Sequence, residues 1–179
     1  NAGVMVVVAA GNLGLTDAPD ACDISPAFVP SAITVGSTEK GDRRSEFSNY
    51  GSCLDIFAPG SMIISAAHSS DDGEAIKSGT SMACPHVAGA AALLFAANPQ
   101  INVSGVETLL KTRASKNKLA DTMPGSPNLL LYVGLSTEPP TPATVPAPAP
   151  TPTEPPTPTP SPPPTPTATT KTPTPPTAT

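Results

Sequence analysis

From Thr137 to Thr179 the chain runs 43 residues, of which 18 are Pro and 15 are Thr. That stretch holds no Leu, no Ile and no aromatic residue, and its charged side chains are Glu138, Glu154 and Lys171. It cannot bury enough apolar surface to offset the entropy of ordering a chain. Repeated Pro favours extended polyproline geometry, so a disordered, semi-rigid spacer is expected over 137–179. Any fold is thereby confined to residues 1–136, which is room for one modest core.

Within 1–136, eight Lys/Arg stand against twelve Asp/Glu, which accounts for most of the chain's net charge of −5. No basic stripe appears, so no nucleic acid partner is expected. The mild acidity is a statement about solubility. The apolar run Val4–Ala10 and the Ala-rich stretch Val87–Ala97 are both too short for a span of about 20 residues, so no membrane partner is expected. The chain opens on Asn1, with no initiator Met or signal peptide, a few residues before an apolar strand. That start reads as a cut through a domain.

Val4–Ala9 is β-branched, uncharged and apolar without alternation, as buried central parallel strands are. It ends at Gly11-Asn12, in the loop where open α/β sheets place their chemistry. Leu15–Pro30 reads as an irregular surface loop, and Ala32–Gly36 as a second strand. Asp42–Glu46 is charged and expected in solvent. Cys53–Phe57 and Met62–Ala66 are further strand candidates, and Ser69–Gly73 is a polar turn. Met82–Ala97 predicts a helix, with Val87, Ala91, Leu94 and Phe95 on its core-facing side. Taking Ser81 as its cap, Pro85 would forfeit the first intrahelical bond. Val103–Thr112 predicts a second helix and Leu129–Val133 a last strand. Two helices are too few to cover both faces of a parallel sheet, which points to part of an α/β domain.

Three segments carry a resemblance: Val7-Val8-Ala9-Ala10-Gly11-Asn12, Phe47–Gly60, and Gly79-Thr80-Ser81-Met82-Ala83-Cys84-Pro85-His86-Val87-Ala88-Gly89. In order and spacing they resemble the subtilisin-like serine proteases, and look closest to the proteinase K branch. The third segment departs from the family's nucleophile signature at Cys84, where Thr or Ala is usual. The resemblance runs to about residue 135. It implies an α/β fold with a mostly parallel sheet flanked by helices, here as the carboxy-terminal part of the domain. It implies Ser81 as nucleophile and Asn12 as the side-chain donor of the oxyanion hole, with the Ser81 amide as second donor. Alone, a Ser before a helix is a cap and Gly-Asn a turn; the combined match outweighs both. Ala9, Ala10 and Gly11 resemble one wall of a roomy, apolar substrate pocket with broad aromatic or aliphatic preference.

The family runs Asp, His, Ser along the chain, and its Asp and His precede the first strand here. His86 falls within the helix signature and His68 in a loop, so neither is expected to be the base. A Ser hydroxyl needs an adjacent base. The parent protein is therefore expected to be a secreted serine endopeptidase and this chain alone to be inactive. Protein or peptide substrates, the enzyme's own propeptide and a monomeric state follow from the same resemblance.

The resemblance also implies a disulfide between Cys22 and Cys53, as in heat-stable bacterial relatives; the alternative is two buried thiols. Cys84 reads as a small apolar filler. A structural Ca²⁺ is implied at Pro30, Ala32 and Asp55, two backbone carbonyls and a carboxylate. Asp55 could otherwise cap a strand end or form an ion pair. Asp17, Asp20 and Asp23 match no ligand motif and are expected in solvent. Asn102-Val103-Ser104 is an N-glycosylation acceptor, and the Thr/Pro tail resembles O-glycosylated stalks. The rival readings are a non-catalytic protease-fold paralogue and a stalk-displayed structural or binding protein. Ser81 and Asn12 argue against the first, and the nucleophile signature against the second.

Overall fold

Alternation along two adjacent strands decides where the core lies. In β2 (Ile33–Glu39) and β4 (Ile56–Pro59), Ile33, Val35, Ile56 and Ala58 point to one face, and Thr34, Gly36 and Phe57 to the other. The computed structural model describes residues 3–15 and 20–134. The expected spacer over 137–179 lies outside them, as does Asp17.

β1 (Val7–Ala9), β2, β4 and β8 (Leu129–Leu130) pair in parallel, and β7 (Ser115–Lys116) closes the order β1-β2-β4-β8-β7 antiparallel to β8. β3 (Arg43–Arg44) pairs antiparallel with the end of β2. β5 (Ile63–Ala66) and β6 (Glu74–Lys77) form a separate two-stranded ribbon. The α/β architecture inferred from the sequence is the one observed.

One sheet face is covered by α1 (Thr80–Ala97), which crosses β1, β2 and β4, and by α2 (Val103–Arg113), which packs on α1. Val87 and Ala91 are buried against Ile33, Val35, Ile56 and Ala58, with Leu94 and Phe95 packed at the margin, as their helical spacing requires. Val106 and Leu110 of α2 join the same cluster. Among the described residues, the other face carries no helix of more than one turn. It buries Ala10, Leu54, Phe57 and Leu119 with Ala21 and Ala27 from the loop before β2. There the Phe57 ring lies over Gly36, where a Cβ would overlap it.

Several expectations are corrected. β1 begins at Val7 and is the outer strand among the described residues, so Val4 and Val6 are exposed where a central strand would bury them. The loop 15–30 is not wholly superficial, because a 3-10 turn at Ala21–Asp23 and Ala27 enter the core. β4 starts three residues later than Cys53, since Cys53 is held in a disulfide. β6 follows the polar turn although its sequence, Glu74-Ala75-Ile76-Lys77, carries two charges. In the 42–46 segment, Arg44 donates from Nη1 to the carbonyls of Ser45, Glu46 and Ser48, and Ser45 is fully buried. The last strand stops at Leu130 because its pairing with β4 is confined to Phe57↔Leu130. α1 has 18 residues and a mean hydropathy of 1.4, long and apolar enough to cross a membrane by those measures, yet one side packs on the sheet as a core helix does.

Candidate functional site: a serine at the helix start and a carboxylate cleft

The chain leaves β1 at its carboxyl end and turns sharply at Gly11, whose φ of 101° lies in the region open to glycine. A Cβ there would also meet the Asn49 side chain. Asn49 is fully buried and grips this loop at three points. Its Nδ2 donates to the Ala10 carbonyl at 3.0 Å, its Oδ1 accepts from the Leu13 N–H at 2.7 Å, and its own N–H donates to the Gly11 carbonyl at 3.0 Å.

Thr80 then joins this loop to α1. The Asn12 Oδ1 accepts from both the Thr80 N–H and the Thr80 hydroxyl, each at 2.9 Å. The Thr80 hydroxyl oxygen in turn accepts from the Gly11 N–H at 3.2 Å. With its oxygen doubly bonded, the Asn12 amide can turn only its NH₂ group outward, and Nδ2 makes no hydrogen bond among the described residues. Ser81 is the second residue of α1 and is exposed, and its backbone N–H is likewise unbonded among the described residues. A free amide anchored through Thr80 and the free Ser81 N–H thus stand at the positive end of the helix that carries the Ser81 hydroxyl, an arrangement suited to holding negative charge.

Ser81 is not the cap. Gly79 is, with no side-chain cap bond, and Pro85 therefore removes an interior bond to the Ser81 carbonyl rather than the helix's first one. His86 Nδ1 donates to the Met82 carbonyl at 2.9 Å, and His68 lies in the exposed turn after β5. Neither histidine bonds to Ser81. Ala10 is fully buried in the core, whereas Ala9 and Gly11 are half-buried. Cys84 is half-buried, its thiol donates to the Val7 carbonyl at 3.4 Å, and burial raises its pKa above the ordinary thiol value. It is therefore a poor nucleophile at neutral pH.

A second constellation lies at the far end of β2. Pro30, Ala32, Ser52 and Asp55 are among the residues lining a cleft of about 230 Å³. The Pro30 and Ala32 carbonyls accept no hydrogen bond among the described residues, so two neutral oxygens remain free beside a carboxylate. That hard-oxygen set fits the chemistry of Ca²⁺. Asp55 is not idle, however. Its Oδ2 accepts from the Thr34 N–H at 2.8 Å, and its Oδ1 is 2.7 Å from Lys111 Nζ on α2. Lys111 is also 2.7 Å from Glu107 Oε1. Burial works to lower the Lys111 pKa, but its hydrogen bonds to Asp55 and Glu107 and their charges together raise it, so the ammonium is secure.

Cys22 and Cys53 are bridged, with their Cα atoms 5.3 Å apart, which ties the Ala21–Asp23 turn to the segment entering β4. Asp20 caps that turn by accepting from the Cys22 N–H at 2.8 Å. No cluster of three or more His, Cys, Asp or Glu able to hold a metal exists among the described residues.

The sequence pattern singled out Ser81, Asn12 and the cysteine pair. It gave no role to Thr80 and Asn49, although both stand inside the quoted segments, nor to Lys111, whose partner is distant in the chain.

Residues 1–133 match the Subtilase family. The chain is 53% identical over 130 residues to alkaline serine exoprotease A of Vibrio alginolyticus, covering 73% of this chain and 23% of that protein. It is 53% identical over 132 residues to the extracellular serine proteinase of Thermus sp. (strain Rt41A), covering 74% and 31%. The crystal structure of a cold-adapted subtilisin-like serine proteinase superposes with a TM-score of 0.67 at 53% identity, covering 73% of this chain and 45% of that one. The chain spans about a quarter to a third of the length of these two curated relatives. With a match over most of its length, the chain belongs to the subtilase family.

Proposed function

We propose that residues 1–136 are the nucleophile-bearing, carboxy-terminal part of the catalytic domain of a secreted serine endopeptidase of the proteinase K branch. The observation that carries the reading is the doubly bonded Asn12 oxygen, which turns Asn12 Nδ2 outward at the helix start, where the Ser81 N–H is also unbonded among the described residues. In the reaction, Ser81 attacks the scissile carbonyl as a base takes its proton. The two donors hold the oxyanion, the amine leaves, and water releases the acyl group. The base is a histidine oriented by an aspartate in the part of the family domain that this chain does not span. Neither His68 nor His86 serves.

Ala9, Ala10 and Gly11 form one wall of the substrate pocket, Ala10 through its backbone, and their small size favours large apolar side chains. Pro30, Ala32 and Asp55 would hold a structural Ca²⁺, which when bound would tie the start of β2 to that of β4. The disulfide suits an oxidising compartment, and two of the relatives are named extracellular proteases. Substrates are proteins or peptides, the enzyme acts as a monomer, and its own propeptide is a further partner. Residues 137–179 are an O-glycosylated linker, and Asn102 is open to N-glycosylation at Nδ2 because its cap bond uses the oxygen.

Fluorophosphonate labelling tests this. The parent protein is expected to be labelled at Ser81 and its Ser81→Ala variant not, while the 179-residue chain alone leaves casein uncut. An unlabelled parent overturns the catalytic reading. Inhibitor-sensitive turnover by the chain alone overturns the assignment of the base.

A further inference from the structure

Among the described residues, Asp55 is the sole acidic side chain lining its cleft, so a cation there depends on a single carboxylate for charge. That charge already has an owner in Lys111, 2.7 Å from Oδ1. The Pro30 and Ala32 carbonyls add oxygens but no charge. Lys111 also has a second anchor: Glu107 stands four residues earlier on α2, and its Oε1 is 2.7 Å from the same ammonium. Residues at that spacing are neighbours on the helix surface, so Glu107 can keep the ammonium with no change in the backbone. A lysine is a compact charge on a flexible stem, able to leave one carboxylate for another.

Resting on the calcium reading above, we propose that Lys111 is a resident counter-ion that competes with Ca²⁺ for Asp55, with Glu107 receiving the ammonium when the cation binds. Two opposite consequences follow. Removing the ammonium frees Asp55 and tightens cation binding. Removing Glu107's charge leaves Lys111 without an alternative partner and weakens it.

Calorimetric titration of the full 179-residue chain with CaCl₂ in metal-free buffer decides the matter without reference to activity. Lys111→Met is expected to bind Ca²⁺ more tightly on the order of tenfold, the scale of losing one nearby like charge at a half-buried site. Lys111→Arg stays near the unaltered chain, Glu107→Gln binds several-fold more weakly as its partner charge is lost, and Asp55→Asn does not bind. If Lys111→Met binds no more tightly while Asp55→Asn abolishes binding, the site is real and the competition is wrong. If neither the unaltered chain nor Lys111→Met binds Ca²⁺, the calcium reading fails and the proposal with it. Should Lys111→Met not fold, Glu107→Gln decides alone: equal or tighter binding overturns the proposal.

Discussion

The Ser81 corner and the Asp55 cleft are built from the same chain to different degrees of completeness. At Asp55, the chain supplies the carboxylate, two unbonded carbonyls, a fixed Thr34 N–H and a cation of its own in Lys111. At Ser81 it supplies the hydroxyl and two unbonded donors, but no group bonded to the hydroxyl, among the described residues. At the first, the Asp55 carboxylate is already paired with an ammonium of the same chain. At the second, on the catalytic reading proposed above, the helix end and the free amides would meet a charge that appears only during reaction. Substitutions around Ser81 should therefore register in turnover, and those around Asp55 in folding stability.

The strongest test of that division is Asn12→Ala in the parent protein. Turnover should fall by about 10²–10³ with little change in KM, the magnitude known for this amide in the family. Steady-state kinetics beside a thermal melt check it, and a loss of stability of comparable size would erase the contrast. Second, replacing Cys22 and Cys53 with Ser should lower the stability of this chain by about 3.5 kcal/mol on the chain-entropy estimate for a loop of this size. Urea melts with and without reductant measure it. Third, Thr80→Val straddles the two kinds of effect. It removes one of two donors to Asn12 and orphans the Gly11 N–H, so stability should drop by about 1–3 kcal/mol. Turnover should drop with it, and rescue by Thr80→Ser would separate the hydroxyl from the methyl. The smallest effect is expected at Asn102, which caps α2 from Oδ1 to the Gly105 N–H. Asn102→Ala should cost about 1 kcal/mol, largely restored by Asp. Were it to alter turnover instead, the helix bearing Lys111 would not be independent of the Ser81 corner.

The helix faces were legible because burial there obeys a local period: Val87, Ala91, Leu94 and Phe95 recur at helical spacing and pack where that spacing puts them. Ser81 and Asn12 could be singled out because Gly79–Gly89, with Cys84 as its one departure, and Val7–Asn12 resemble a family pattern. What the sequence hid is of a different kind. Arg44 reads as a solvated charge, yet three carbonyls converge on its guanidinium. Glu74–Lys77 carries no strand signal of its own and is a strand because Ile63–Ala66 pairs with it. Lys111 looks like any exposed helical lysine, and its bond to Asp55 depends on how α2 lies against the sheet. Each is a long-range contact between groups whose local sequence is unremarked, and periodicity does not encode such contacts.

The parallel sheet also sets a timetable. β1 pairs with β2 across the loop that carries Cys22, and β4 with β8 across the stretch that holds both helices. Almost none of the sheet's stabilisation is therefore available to early, local encounters, and chains dominated by such distant pairings fold slowly. The bridge between Cys22 and Cys53 shortens one of these searches, while the search for β8 is left to chance collision. Refolding of this chain should be limited by the capture of Leu129–Leu130, and a native contact that holds β8 beside β4 early would speed folding while leaving the unfolding rate little changed.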